Sequence, residues 1–125
     1  MKNFLFVEYT SAEQLIYEKD GHYHIFVPAF YSSSSYANKT IDFIFDTGAY
    51  ITVISKINAA IFGFDLIPPL VSNITLRGFT GECIGDIKII PGLIFGGYML
   101  KNVKVAIPCT DIKNNILGLK FFCEW

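Results

Sequence analysis

The chain has 125 residues, 52% hydrophobic and 16% aromatic, with ten basic and eleven acidic residues and a net charge of −1. That length suits one domain with a core of its own, and the composition excludes a disordered tail. The charge balance excludes an electrostatic grip on nucleic acid or on an anionic membrane.

No apolar run approaches the ~20 residues of a membrane-spanning helix. The opening "MKNFLFVEYTSAEQ" has one basic residue and a short apolar stretch broken by Glu8, unlike a secretion signal. Cys83, Cys109 and Cys123 fall in no metal-binding spacing. Their odd number fits reduced thiols in the cytosol, and each is expected as a small core hydrophobe.

In chain order, turn signals recur and long helical patterns are nearly absent, so an all-β fold is expected. "QLIYEKDGHYHIFVPAF" reads as a hairpin turning at Asp20-Gly21, with Pro28 marking the end of its second arm as an edge. His22 and His24 share a face of that arm and are expected as half-exposed strand residues rather than metal ligands. Tyr31 to Lys39 is polar and reads as a surface loop. Ile41 to Phe45 is a strand, and Ile51 to Ile54 a resumed β-branched run. Ser55 is expected to cap a short helix, "KINAAIF", closed by Gly63, with Pro68-Pro69 as a stop. "SNITLRGFTGECIGDIKII" is a second hairpin whose tip lies between Gly78 and Gly81. A third, "LIFGGYMLKNVKVAI", begins after Pro91-Gly92, with Val103, Val105 and Ile107 alternating. A short strand through Ile116 and Leu117 and a C-terminal helical turn complete the chain. With no repeat and no linker, one domain is expected over residues 1–125.

Asp46 stands out. It follows the apolar Ile44-Phe45, and burying a carboxylate costs several kcal/mol unless it is hydrogen-bonded or neutralised. The neighbouring Thr47 and Gly48 suit a tight loop that holds an acid by hydrogen bonds, from which it can orient and deprotonate water.

"FDTGA", Phe45 to Ala49, resembles the active-site motif of aspartic proteases, and the chain's length resembles the retropepsin-like, retroviral-type branch. The β-branched Thr52-Val53-Ile54, the glycine-rich "RGFTG" of Arg77 to Gly81 and the "ILG" of Ile116 to Gly118 match that family in order and spacing. The resemblance runs from Ile41 to Phe122, about two-thirds of the chain. The first forty residues have little counterpart beyond a strand at His24 to Phe30. Tyr50 and Ile51 stand where retroviral enzymes carry another acidic residue, and Lys120 near where they carry an arginine.

The resemblance implies a closed or partly open acid-protease β-barrel with a hairpin flap, one short helix after the active-site strand and one at the C-terminus. It implies that Asp46 is catalytic and that Thr47, Gly48 and Ala49 support its loop. Arg77, Gly78, Phe79, Thr80 and Gly81 would form the flap over substrate, and Ile116, Leu117 and Gly118 would pack beneath the loop. In such enzymes two aspartates share a water, and they are the usual illustration of like charges too close for both to ionise. No other Asp in this sequence sits in such a motif, so two copies of Asp46, and therefore a homodimer, are required. Few residues follow Phe122, so the apolar Phe4 to Tyr9 is the expected dimerisation segment. The expected activity is hydrolysis of an extended polypeptide in the cytoplasm, with no metal, cofactor, nucleic acid or membrane involved. The alternative is a catalytically silent binding or dimerisation module of the same fold.

Overall fold

The computed structural model describes residues 16–19, 22–33, 35, 39–46, 49–78 and 81–118. Among these the chain is mostly strand: β1 (Ile16–Lys19), β2 (His22–Tyr31), β3 (Thr40–Phe45), β4 (Val71–Gly78), β5 (Gly81–Phe95), β6 (Tyr98–Pro108) and β7 (Asn115–Leu117). Helix is confined to α1 (Lys56–Ile61) and a 3-10 turn at Phe64–Leu66. The strands form one open sheet in the order β4-β5-β2-β3-β7, with β1 added to β2 and β6 to β5. The expected C-terminal helical turn and the Phe4 to Tyr9 segment lie outside the described residues.

Local sequence explains each element. In β3, Ile41 and Phe43 face the core while Thr40 and Asp42 face out, the period of two that a half-buried strand requires. Helix α1 starts where Ser55 Oγ accepts the Asn58 backbone N–H at 3.1 Å and the Asn58 Nδ2 donor at 2.7 Å. It ends before Gly63, whose φ is +76°. The β5–β6 hairpin turns at Gly96 and Gly97, with φ of 55° and 84°, as a two-residue turn matched to strand twist demands. Phe43, Phe64, Phe95, Ile41, Ile54, Ile90, Leu93 and Leu117 are completely buried and form the heart of the core. Within it the Phe43 and Phe95 rings lie 5.9 Å apart, and Tyr31 meets Phe64 edge-on at 4.8 Å.

Three expectations are corrected. Pro91-Gly92 does not separate two strands, because β5 runs through them for 15 residues. The ladder steps from Ile90–Val103 to Gly92–Lys101 around exposed Pro91, and Asn102, opposite it, takes a left-handed φ of 56°. A proline disrupts a strand only where its missing N–H is needed. The end of β2 is not an edge either. Pro28 pairs with Asp42 of β3, but Phe30 beyond it lies between Thr40 of β3 and Ile94 of β5. Finally, Cys109 is exposed and Cys83 half-buried, so neither is a core residue. Cys109 directly follows β6, and its N–H still donates to the Ile84 carbonyl of β5 at 2.8 Å while the residue itself is exposed.

Ser55 receives two donors and is itself 2% exposed. Ser55→Ala is expected to cost about 1–2 kcal/mol in urea unfolding, with the slope of the transition unchanged.

Candidate active site

Asp46 is the first residue beyond β3. Strand β3 runs parallel to β7, with Phe45 opposite Leu117, and the Asp46 N–H donates to the Leu117 carbonyl at 3.2 Å. Its own carbonyl accepts the Ala49 N–H at 3.2 Å, which closes a tight four-residue turn. Thr47 and Gly48, the middle of that turn, lie outside the described residues. The Asp46 side chain is half-buried, so water reaches it. The motif's position at a strand end thus places a carboxylate at the sheet margin while the backbone beneath it is fixed.

The chain after the turn is pinned more firmly. Val53 and Ile116 exchange a pair of backbone hydrogen bonds, both 2.8 Å. On the other side Ala106 N–H donates to Thr52 O at 2.9 Å, and Ile54 N–H donates to Ala106 O at 3.0 Å. The β-branched run expected as a strand is therefore an extended segment stitched between β6 and β7. Thr52 is 2% exposed, and its hydroxyl oxygen accepts the Gly118 N–H at 3.1 Å. Gly118 is pressed against this segment. A Cβ there would lie 2.5 Å from both the carbonyl carbon and the oxygen of Ile51, so only glycine fits without backbone displacement.

Two further polar groups complete the support. The Ser55 N–H donates to Asn115 Oδ1 at 2.8 Å, and Asn115 Nδ2 donates to the Asp42 carbonyl at 3.1 Å. Sequence reasoning missed Asn115 and the role of the Thr52 hydroxyl. The signal available was a polar residue directly before an apolar-apolar-glycine triplet, and a hydroxyl within an otherwise apolar run.

Ala49, Ile116, Leu117 and Gly118 are thus gathered around the Asp46 loop. Arg77, Gly78 and Gly81 belong to another element, the β4–β5 hairpin, where Gly78 pairs with Gly81 next to the tip. Phe79 and Thr80, the tip itself, lie outside the described residues. Arg77 Nε meets Glu82 Oε2 at 3.1 Å across the hairpin, with side chains 83% and 60% exposed. A pair that open to solvent adds at most about 1 kcal/mol. Further down the stem the Asp86 carboxylate accepts the N–H of Asn73, which sits at φ 54° in an irregularity of β4. Among the described residues no three His, Cys, Asp or Glu side chains converge as metal ligands would. Nor is any helix there long and apolar enough to cross a membrane.

An acid-bearing loop at the end of one strand, braced from below by a parallel strand that a glycine follows, is the arrangement of a retropepsin-like fold. A family model described as aspartyl protease matches residues 33–121, and the chain belongs to that family. The structure is similar to the crystal structure of a retropepsin-like aspartic protease from Rickettsia conorii. The two are 25% identical with a TM-score of 0.64, over 86% of this chain and 82% of that one. A comparison with curated protein sequences finds no match.

Gly118→Ala is expected to destabilise the protein by about 3 kcal/mol or more, since the new methyl meets backbone rather than a movable side chain. A fall in thermal midpoint measured by circular dichroism checks this, and an unchanged midpoint counts against the close approach at Ile51.

Proposed function

We propose that the protein is an aspartic endopeptidase that hydrolyses peptide bonds of an extended polypeptide as a homodimer, in the cytoplasm. The observation that carries this reading is the intact Asp-Thr-Gly sequence beginning at Asp46, with the backbone of Asp46 tied to Leu117, in a chain of the aspartyl protease family. A single chain brings one such aspartate, so the second carboxyl group comes from Asp46 of the partner subunit.

In this mechanism one ionised Asp46 takes a proton from a water held between the pair, and the water oxygen adds to the scissile carbonyl carbon. The neutral Asp46 donates its proton to the carbonyl oxygen, which would otherwise develop full negative charge. As the tetrahedral species collapses, one of its hydroxyls returns a proton to the ionised Asp46 while the departing amine takes the proton of the neutral one; the C–N bond breaks and the pair is left, as it began, with one proton. No metal or cofactor takes part. Thr47, Gly48 and Ala49 hold the loop, and Ile116, Leu117 and Gly118 support it from beneath. Arg77, Gly78, Phe79, Thr80 and Gly81 form a flap that bonds the substrate backbone and excludes water. The apolar character of Phe79 and its surroundings favours apolar side chains around the scissile bond.

Asp46→Asn keeps the side chain's shape and removes its acid–base function. Cleavage of an unfolded protein substrate between pH 4 and 7 is expected to fall by about a thousandfold or more, with the thermal midpoint equal to or above that of wild type. Equal cutting by the two proteins rejects the assignment. Sedimentation at micromolar concentration is expected to show a dimer, and a strict monomer at every concentration and pH rejects the shared-water mechanism.

A further inference from the structure

We propose that Asn115 is a positioning residue for Asp46, acting through its carboxamide and not by touching substrate. The inference rests on the reading of Asp46 as the catalyst. Asp42 lies four residues before Asp46, on β3, and Ser55 lies nine residues after it, at the cap of α1. The Asn115 side chain joins these two points, accepting the Ser55 N–H at 2.8 Å and donating to the Asp42 carbonyl at 3.1 Å. The residue is 4% exposed; its bond to Ser55 is buried and its bond to Asp42 partly so, which limits competition from water. The carboxamide therefore fixes the distance between the two ends of the segment that carries Asp46.

The chemistry of the position is selective. One side chain must accept from a backbone N–H and donate to a backbone carbonyl at once. A neutral amide does both; a carboxylate only accepts; leucine, of similar volume, does neither. Leaving either backbone group unpaired in the interior favours a loop that relaxes to find another partner. Catalysis by a pair of carboxyl groups is sensitive to such relaxation, because displacements of about 1 Å at reacting groups cost on the order of a hundredfold in rate. Thr52 and Gly118 hold the middle of the segment through one bond at 3.1 Å, but neither reaches Asp42. Beyond the direct pairing of β3 with β7, the Asn115 side chain ties β3 to the cap of α1.

The test uses the full chain with Asn115→Leu and Asn115→Asp beside wild type. In Asn115→Leu, kcat on an unfolded protein substrate is expected to fall about tenfold with KM within about threefold. Amide exchange at Asp46, Ser55 and Gly118 is expected to quicken by about tenfold, with Ile90, in the β5–β6 ladder, unchanged. In Asn115→Asp the introduced carboxylate cannot donate to the Asp42 carbonyl at pH ~7 but can once it is protonated. The wild-type-to-variant ratio of kcat is therefore expected to shrink toward one as pH falls to about 4, and taking the ratio at each pH cancels the titration of Asp46 itself. A folded Asn115→Leu with unchanged exchange and kcat overturns the inference, as does a ratio for Asn115→Asp that stays constant with pH. If Asn115→Leu does not fold, the pH series on Asn115→Asp decides. A wild-type chain that cuts nothing, or cuts as well after Asp46→Asn, rejects the protease reading instead, and the exchange measurement then decides the role of Asn115 alone.

Discussion

Five hydrogen bonds run between the segment from Asp46 to Ser55 and the four residues Asn115 to Gly118. The rest of the site depends on them. A loop carrying a half-buried carboxylate at the margin of a sheet gains little from hydrophobic burial. Its geometry has to come from directional bonds. Those bonds are worth only about 1 kcal/mol each in net stability, yet leaving one unmade in the interior costs about 1–3 kcal/mol. That asymmetry makes the arrangement all-or-none, since each buried donor penalises any loop conformation that abandons its partner. The fit of Gly118 against Ile51 adds a steric condition that no hydrogen bond supplies.

The hydrophobic core provides the platform. Phe43 and Ile41, completely buried, anchor β3 from below, and Leu117 anchors β7 in the same way. Leu117 does both, its side chain sunk in the core while its carbonyl accepts the Asp46 N–H. Helix α1 and the 3-10 turn after it close one side. There Lys88 is 7% exposed and its Nζ donates to the carbonyls of Phe64 and Asp65 at 3.0 and 3.2 Å. A lysine buried in β5 thereby steadies the turn, adding a donor to the Phe64 carbonyl, which also accepts the Ile67 N–H, and one to the Asp65 carbonyl.

Much of this was legible in the sequence because it is local. The Ser55 cap, the pairing of β1 with β2 and of β5 with β6, and the strand before Asp46 rest on residues close to one another in sequence. So does the Asp46 motif, whose resemblance to aspartic proteases agrees with the family match and the similar fold. What the sequence hid is non-local. Thr52 and Asn115 look like polar interruptions of apolar runs until their partners are known, and those partners are 66 and between 60 and 73 residues away. Pro91 and Pro28 were misread for a related reason. Whether a missing N–H ends a strand depends on the neighbour opposite, which local sequence does not name. Cys109 shows the limit of composition, since a residue type that is usually buried stands exposed here, just past the end of β6.

The parallel pairing of β3 with β7 has a consequence in time. Its two strands are separated by most of the chain, and contacts that distant form after local hairpins because a large loop must first be closed. During synthesis the aspartate emerges long before the segment that anchors it. Until Gly118 has left the ribosome there is no complete brace beneath Asp46, and the loop that bears it lacks the bonds from Asn115 to Gly118 that hold it.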